Sequence, residues 1–241
     1  RVDIAANSAK NAVDYCYKRP IIDIHKTQQK SSFVALKKMR HPLIERIQDD
    51  VEYIGNDIVL NEDGVLLYGI NASGKSSFMK AVGINIIMAQ AGMFVAAQEM
   101  SYYPYHSIFT RISGMDNIYK GMSSFTVEMT ELRNILQRCN KYSLVIGDEI
   151  CCGTESISGI SIVASGIDTL VSKGASFIFA SHLHELTKIS CICQHIDDRK
   201  LFVKHIRIYI DDNNRIIYDR KIQDGQGSKI YGIEVCKSLD M

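Results

Sequence analysis

The chain has 241 residues, of which 46% are hydrophobic and 23% charged, with 28 Lys and Arg against 27 Asp and Glu. That length is expected to hold one large globular domain and no large multidomain machine within these residues, while the composition excludes disordered and collagen-like chains. A net charge of +1 excludes a chain-wide electrostatic footprint for a polyanion, so any nucleic-acid contact must be local or lie elsewhere.

The chain starts on Arg1, and residues 1–19 hold Lys, Arg and Asp without an apolar signal core, which reads as a fragment of a longer protein. Residues 1–18 are expected to form the end of a helix that Pro20 closes. Runs 33–39 and 51–60 read as strands on either side of an Arg40-His41-Pro42 turn, giving a small antiparallel subdomain. From Val65 the pattern changes to short apolar strands at 65–68, 143–147 and 175–180, spaced by helical stretches at 75–91, 125–139 and 157–171. This alternation predicts a mainly parallel sheet. The helix from Lys75 is apolar on almost every side and is expected to be buried against that sheet, whereas 125–139 is amphipathic. Strands at 202–210 and 214–222 are expected to join at Asp211-Asp212-Asn213-Asn214, and a last helix starts at 230–240. Apolar stretches such as 84–89 fall well short of the roughly 18 residues that span a bilayer. Seven scattered cysteines suit reduced thiols in an intracellular compartment.

Three runs carry chemistry. Gly69-Ile70-Asn71-Ala72-Ser73-Gly74-Lys75-Ser76 matches GxxxxGK[ST] between an apolar strand and a helix, and the run continues to Ser77. In such a loop backbone amides curl round phosphate oxygens, the helix N-terminus adds its dipole, Lys75 adds a point charge and the Ser76 hydroxyl can ligate Mg²⁺. The second run, Ser143-Leu144-Val145-Ile146-Gly147-Asp148-Glu149, is a strand ending in two acids. There Asp148 would support Mg²⁺ and Glu149 would polarise the attacking water, as nucleoside triphosphatases of this type require. The third, Phe177-Ile178-Phe179-Ala180-Ser181-His182, ends in a histidine that can bond the γ-phosphate or the water, with His184 nearby as an alternative. A Cys191-x-Cys193-x-His195 cluster crowds three ligand types into five positions without a second cluster at zinc-site spacing, so burial or free thiols explain it better than a metal.

Taken in order, the motifs resemble the ATPase domain of the MutS family of DNA mismatch repair proteins. The resemblance runs from Arg40-His41-Pro42-Leu43-Ile44-Glu45 and Tyr53-Ile54-Gly55-Asn56-Asp57 through the phosphate loop and Phe94-Val95. It continues with Ile108-Phe109-Thr110-Arg111-Ile112, Ser123-Ser124-Phe125, Glu128-Met129-Thr130-Glu131, the Asp148-Glu149 strand, Gly153-Thr154 and Ala180-Ser181-His182, and reaches Lys229-Ile230-Tyr231-Gly232. It implies a P-loop NTPase of the ABC type, a three-layer α/β fold, in which residues 1–19 end a preceding helical lever or clamp region. Residues 20–241 would then be the ATPase domain, cut before its C-terminal dimerisation element.

The same resemblance implies ATP and Mg²⁺ as ligands, a homodimer or MutS-like heterodimer, DNA contact through the full-length protein and no membrane partner. It places Tyr53 where the family stacks an aromatic on adenine, Asn71 in the phosphate loop, and Ser123 where a hydroxyl meets the partner subunit's γ-phosphate. Arg207 falls about where a second adenine contact is expected. On the residues alone, Tyr53 also reads as a core aromatic and Ser123 as a helix cap. Ile150-Cys151-Cys152-Gly153-Thr154-Glu155 departs from the common Ile-Gly-Arg-Gly-Thr-Ser, and Met122 replaces a common Arg. The longer run Gly147-Asp148-Glu149-Ile150-Cys151-Cys152-Gly153-Thr154-Glu155-Ser156 is similar to the giant-virus and octocoral-mitochondrial branch, whose members can carry an added nuclease domain. Two rival functions stand beside ATP hydrolysis that drives a repair clamp. One is a small P-loop nucleotide kinase, against which the adjacent acids and the lack of an Arg-rich lid argue, and the other a nucleotide-gated interaction module with little turnover.

Overall fold

The structure, a computed structural model, describes residues 2–23, 31–47, 52–112, 124–151, 156–211 and 215–227. The expected helix at 230–240, the turn at 212–214, Ser123, Gly153-Thr154 and Lys229 to Gly232 lie outside them.

Helix α1 spans Val2–Asp14 and is shorter than expected. Cys16 adopts a left-handed φ of 54°, which an α-helix cannot continue, and the backbone of Lys18 is engaged in a two-way bridge with Val95. There follow β1 (Ile21–Ile22), β2 (Phe33–Met39), a single turn of helix α2 (Ile44–Ile47), and β3 (Asn56–Asn61). The expected strand at 51–60 therefore begins only at Asn56. Next come β4 (Gly64–Tyr68), helix α3 (Lys75–Gln90), β5 (Glu99–Tyr103) and β6 (Ser107–Arg111). Helix α4 (Ser124–Arg138) leads to β7 (Ser143–Asp148), α5 (Ser156–Ser172) to β8 (Ser176–Ala180), and α6 (Ser190–Asp197) to the hairpin of β9 (Leu201–Ile210) and β10 (Ile216–Asp224). A 3₁₀ turn at His184–Lys188 fills the gap before α6.

The strands form two sheets. A four-stranded sheet has the order β1-β5-β2-β3, and a six-stranded sheet the order β10-β9-β4-β8-β7-β6. In the large sheet every pairing is parallel except β9 with β10. In the small sheet the β2 pairings are antiparallel and only β1 with β5 is parallel. Strands β4, β7 and β8 are buried along their whole length, as central parallel strands covered on both faces must be.

Side-chain alternation sends Val65 and Leu67 into one core and Leu66 and Tyr68 into another. The first core gathers the small sheet and α3, with Leu36, Leu60, Met79, Val82 and Ile86 against Ile146 and Ile178. The second gathers α4, α5 and α6 through Leu132, Ile135, Ile167, Leu170 and Ile192. Helix α3 is buried as expected along most of its length, but Ile87 is 57% exposed.

Candidate functional site

Hydrogen-bond register brings three strand ends side by side, because Leu67 of β4 and Asp148 of β7 both pair with Ala180 of β8. Ligands of open α/β sheets bind beyond such carboxyl ends. From β4 the chain enters the phosphate loop. Gly69 leaves no room for a side chain, since a Cβ there would lie 2.8 Å from Ser73 Oγ. Gly74 caps α3 with a φ of 109°, a conformation that suits glycine alone. Asn71 is exposed, Ser76 and Ser77 are half-buried, and Lys75 is 5% exposed.

The Lys75 ammonium is held over the loop by the carbonyls of Gly69 at 2.7 Å and Ile70 at 3.2 Å. Its Nζ also lies 3.4 Å from Glu149 Oε1. The same carboxylate oxygen meets His182 Nε2 at 2.5 Å. Lys75, Glu149 and His182, which the sequence assigned to three separate motifs, therefore converge on one carboxylate. It is His182 that reaches Glu149, while the ring of His184 stacks on Tyr68 at 4.9 Å.

Asp148 is 8% exposed, and its Oδ1 is buried without a hydrogen-bond partner. Buried carboxylate oxygens are not left unpaired without a reason. The orphaned Asp148 oxygen and the half-buried Ser76 hydroxyl, both in sequence-predicted ligand positions, are hard oxygen donors of the kind that suit Mg²⁺, so their chemistry fits the cation. The Ser73 hydroxyl is likewise buried without a partner at the loop's inner face.

The loop that carries His182 is fixed from several directions. Ser181 donates its amide to Leu67 O at 3.1 Å and accepts the Leu183 amide on its hydroxyl at 3.0 Å. Tyr68 donates to Leu183 O at 3.2 Å. From beyond β10, Gln226 Nε2 donates to His184 O at 2.9 Å and to Thr187 Oγ1 at 2.7 Å.

Beside the phosphate loop is a cavity of about 170 Å³ whose walls include Tyr53, Asn56, Ser77, Ile206 and Arg220. Burial, with Glu45 as a smaller contributor, pushes the Tyr53 phenol up to about 12, so it stays neutral near physiological pH. Arg207, expected about where a second adenine contact falls, is not among the walls of this cavity. Arg207 is on β9 next to Ile206, and alternation turns it to the other face, where its Nε pairs with Asp219 Oδ2 at 2.5 Å. The cation that lines the cavity is Arg220. It lies in β10 where the register slips between Tyr218 and Ile222, with a left-handed φ of 58°, a bulge that re-aims its strand. No composition or spacing signal marks a bulge on a non-glycine residue, so Arg220 escaped the sequence reading.

The Cys191, Cys193 and His195 cluster finds other partners. His195 Nε2 meets Asp168 Oδ1 at 2.8 Å and the Cys193 thiol donates to Thr187 O at 3.1 Å. Among the described residues no group of three or more His, Cys, Asp or Glu is placed to hold a metal, and no helix is long and apolar enough to cross a membrane.

Known proteins are similar to this chain in sequence. The family model MutS domain V matches residues 65–241. A mitochondrial DNA mismatch repair protein mutS homolog of Sarcophyton glaucum is 40% identical over 235 residues, 98% of this chain and 23% of the relative. A mutS homolog of Acanthamoeba polyphaga mimivirus is 38% identical over 99% of this chain and 24% of its own length. A DNA mismatch repair protein MutS of Lactobacillus delbrueckii subsp. bulgaricus is 36% identical over 98% of this chain and 26% of its own. The chain thus spans about a quarter of the length of these relatives, and a mitochondrial and a viral protein stand among them, as the Gly147 to Ser156 run suggested. On this match and at these identities, the chain belongs to the MutS family of DNA mismatch repair proteins, as its domain V.

Proposed function

We propose that this chain is the ATP-binding and ATP-hydrolysing domain of a MutS-type mismatch repair protein, folded as a P-loop NTPase of the ABC type and coupling turnover to a DNA clamp. Residues 1–19 would end the preceding lever region and 20–241 form the ATPase domain. The observation that supports it most is the convergence of Lys75 and His182 on the Glu149 carboxylate, next to the unpaired Asp148 oxygen.

In this reading the amides of residues 69–77 and the Lys75 ammonium hold the triphosphate. Ser76 and Asp148 would hold Mg²⁺, which supplies charge neutralisation on the phosphate oxygens. Glu149 accepts a proton from the attacking water, and His182 orients the carboxylate through the bond at 2.5 Å while its ring reaches the γ-phosphate side. Tyr53 and Arg220, both walls of the 170 Å³ cavity, would contact the adenine. Ser123 would complete the site of a partner subunit, so that a homodimer or heterodimer is the working unit, and DNA contact belongs to the full-length protein inside the cell.

Glu149→Gln tests the reading, because the amide keeps the shape and loses the basic oxygen. The variant should bind ATP as the parent does and hydrolyse it about 10²–10⁴-fold more slowly. Parental turnover in a single-turnover assay would remove Glu149 as the base, and a parent that binds ATP but never turns over would favour a nucleotide-gated module.

A further inference from the structure

Beyond β7 the backbone takes an unusual course. Glu149 has a φ of 51° and Cys151 a φ of 66°, so two residues with side chains adopt left-handed backbone with only Ile150 between them. Such conformations are disfavoured for L-residues and persist where the surroundings over-determine them. Three restraints stand out among the described residues. The Glu149 amide donates to Ala180 O at 3.0 Å. The side chains of Ile150 and Cys151 are buried at 4% and 2% exposure. The third restraint comes from another element, as the Cys151 amide donates to Glu128 Oε1 on α4 at 3.0 Å.

We propose that Glu128 is a positioning residue for Glu149, its carboxylate on α4 gripping the far end of the turn that aims the reacting carboxylate. The proposal rests on the reading of Glu149 as the base and adds a residue that belongs to none of the phosphate-loop, acid or histidine motifs.

The physical case is one of lever and tolerance. Glu149 Oε1 has close neighbours on two sides, His182 at 2.5 Å and Lys75 at 3.4 Å. A displacement of about 1 Å at a reacting group can cost on the order of 10²-fold in rate. The first restraint holds Glu149 at the start of the turn, and burial alone lets the turn relax toward commoner backbone. The Glu128 carboxylate on the Cys151 amide adds a directional hold at its other end, and amide bonds to carboxylates are stronger than neutral ones. Helix α4 is itself anchored, by the Arg111 to Glu131 pair at 3.1 Å and by Leu132 and Ile135 in the core. Glu128 therefore transmits a fixed position rather than a floating one.

The test compares Glu128→Ala, which removes the acceptor, with Glu128→Gln, which keeps an acceptor oxygen of the same reach. Single-turnover ATP hydrolysis and equilibrium binding of Mg-ATP are measured on the purified protein, with Glu149→Gln as a control. Glu128→Ala should lower the chemical rate about tenfold, worth about 1.4 kcal/mol, with ATP affinity unchanged, and Glu128→Gln should stay within about threefold of the parent. If Glu149→Gln turns over normally, the reading of the base fails. If Glu149→Gln is dead but Glu128→Ala is normal, or Glu128→Gln is as slow as Glu128→Ala, the positioning role alone is overturned. Should Glu128→Ala fail to fold, Glu128→Met, of equal length and without an acceptor, takes its place. Loss of the fold in that variant too would make the bond a structural one and refute the proposal.

Discussion

Replacing Lys75 by Ala removes the only full positive charge of the phosphate loop. Its ammonium is 5% exposed and touches three oxygens, those of Gly69 and Ile70 at 2.7 and 3.2 Å and Glu149 at 3.4 Å. On the proposed reading, those donor directions pass to phosphate oxygens when nucleotide binds. A hydrogen bond to a charged group contributes about 1.5–3 kcal/mol, so Mg-ATP should bind about 10- to 150-fold more weakly. The fold should persist. Helix α3 is held by Phe78, Met79, Val82 and Ile86, and the two carbonyls released belong to half-buried residues that water can reach. A residual cost of about 1 kcal/mol would move the melting midpoint by about 2–4 °C. Isothermal titration with a slowly hydrolysed ATP analogue and Mg²⁺ measures the first effect, and a thermal melt the second. Lys80→Ala is the control, an exposed cation one turn further along the same helix. Unchanged affinity in a folded Lys75→Ala, or an equal loss in Lys80→Ala, would refute the argument, the first because the ammonium then holds no phosphate, the second because bulk charge alone would explain the effect.

Two further outcomes follow from other parts of the molecule. Arg220→Ala should weaken ATP binding by about 0.5–2 kcal/mol, the range of a cation over an aromatic face, and leave inorganic tripolyphosphate binding unaltered; an equal loss for both ligands in titration would show that Arg220 does not face the base. Burial holds the His41 imidazole below its ordinary 6.5, where its Nδ1 accepts the amides of Leu43 and Ile44 at 3.3 Å each. The native state therefore binds fewer protons than the unfolded chain below about 6.5, so this stabilisation is complete above that pH and is lost as pH falls through the folded value. Urea melts at pH 7.5 and 5 should show a smaller loss for His41→Asn, and an identical pH slope would refute the assignment.

The parts of the fold that sequence reveals are those in which local preference and tertiary demand agree. Strands β4, β7 and β8 are continuous apolar runs because they are covered on both faces, and the same runs end in the glycines, acids and histidine of the site. Strands β5 and β6 were missed for the complementary reason. Glu99–Tyr103 and Ser107–Arg111 are short, carry mixed polarity and are only partly buried, so they become strands through the neighbours they pair with, β2 and β7. Helix α6 was hidden beneath its ligand-like Cys and His residues, whose partners Asp168 and Thr187 are set by the fold.

The residues of the site were legible as types, but their mutual geometry was not, because it is made by backbone that breaks local rules. Glu149, Cys151 and Arg220 all take left-handed φ without being glycine, and nothing in composition marks such a residue. Each is held by a partner remote in sequence. Glu128 takes the amide of Cys151, 23 positions on. Asn56, from the small sheet, donates to Arg220 O at 2.9 Å and accepts the Ile222 amide at 2.9 Å, gripping the bulge from 164 and 166 positions away. That side-chain amide thus satisfies two backbone groups at the bulge, which lowers the cost of the irregular pairing there. The same Asn56 is a wall of the cavity that Arg220 enters. On the proposed reading the phosphate-loop, acid and histidine runs supply the chemistry, while Asn56 and Glu128, which lie outside those three runs, hold the backbone that carries it.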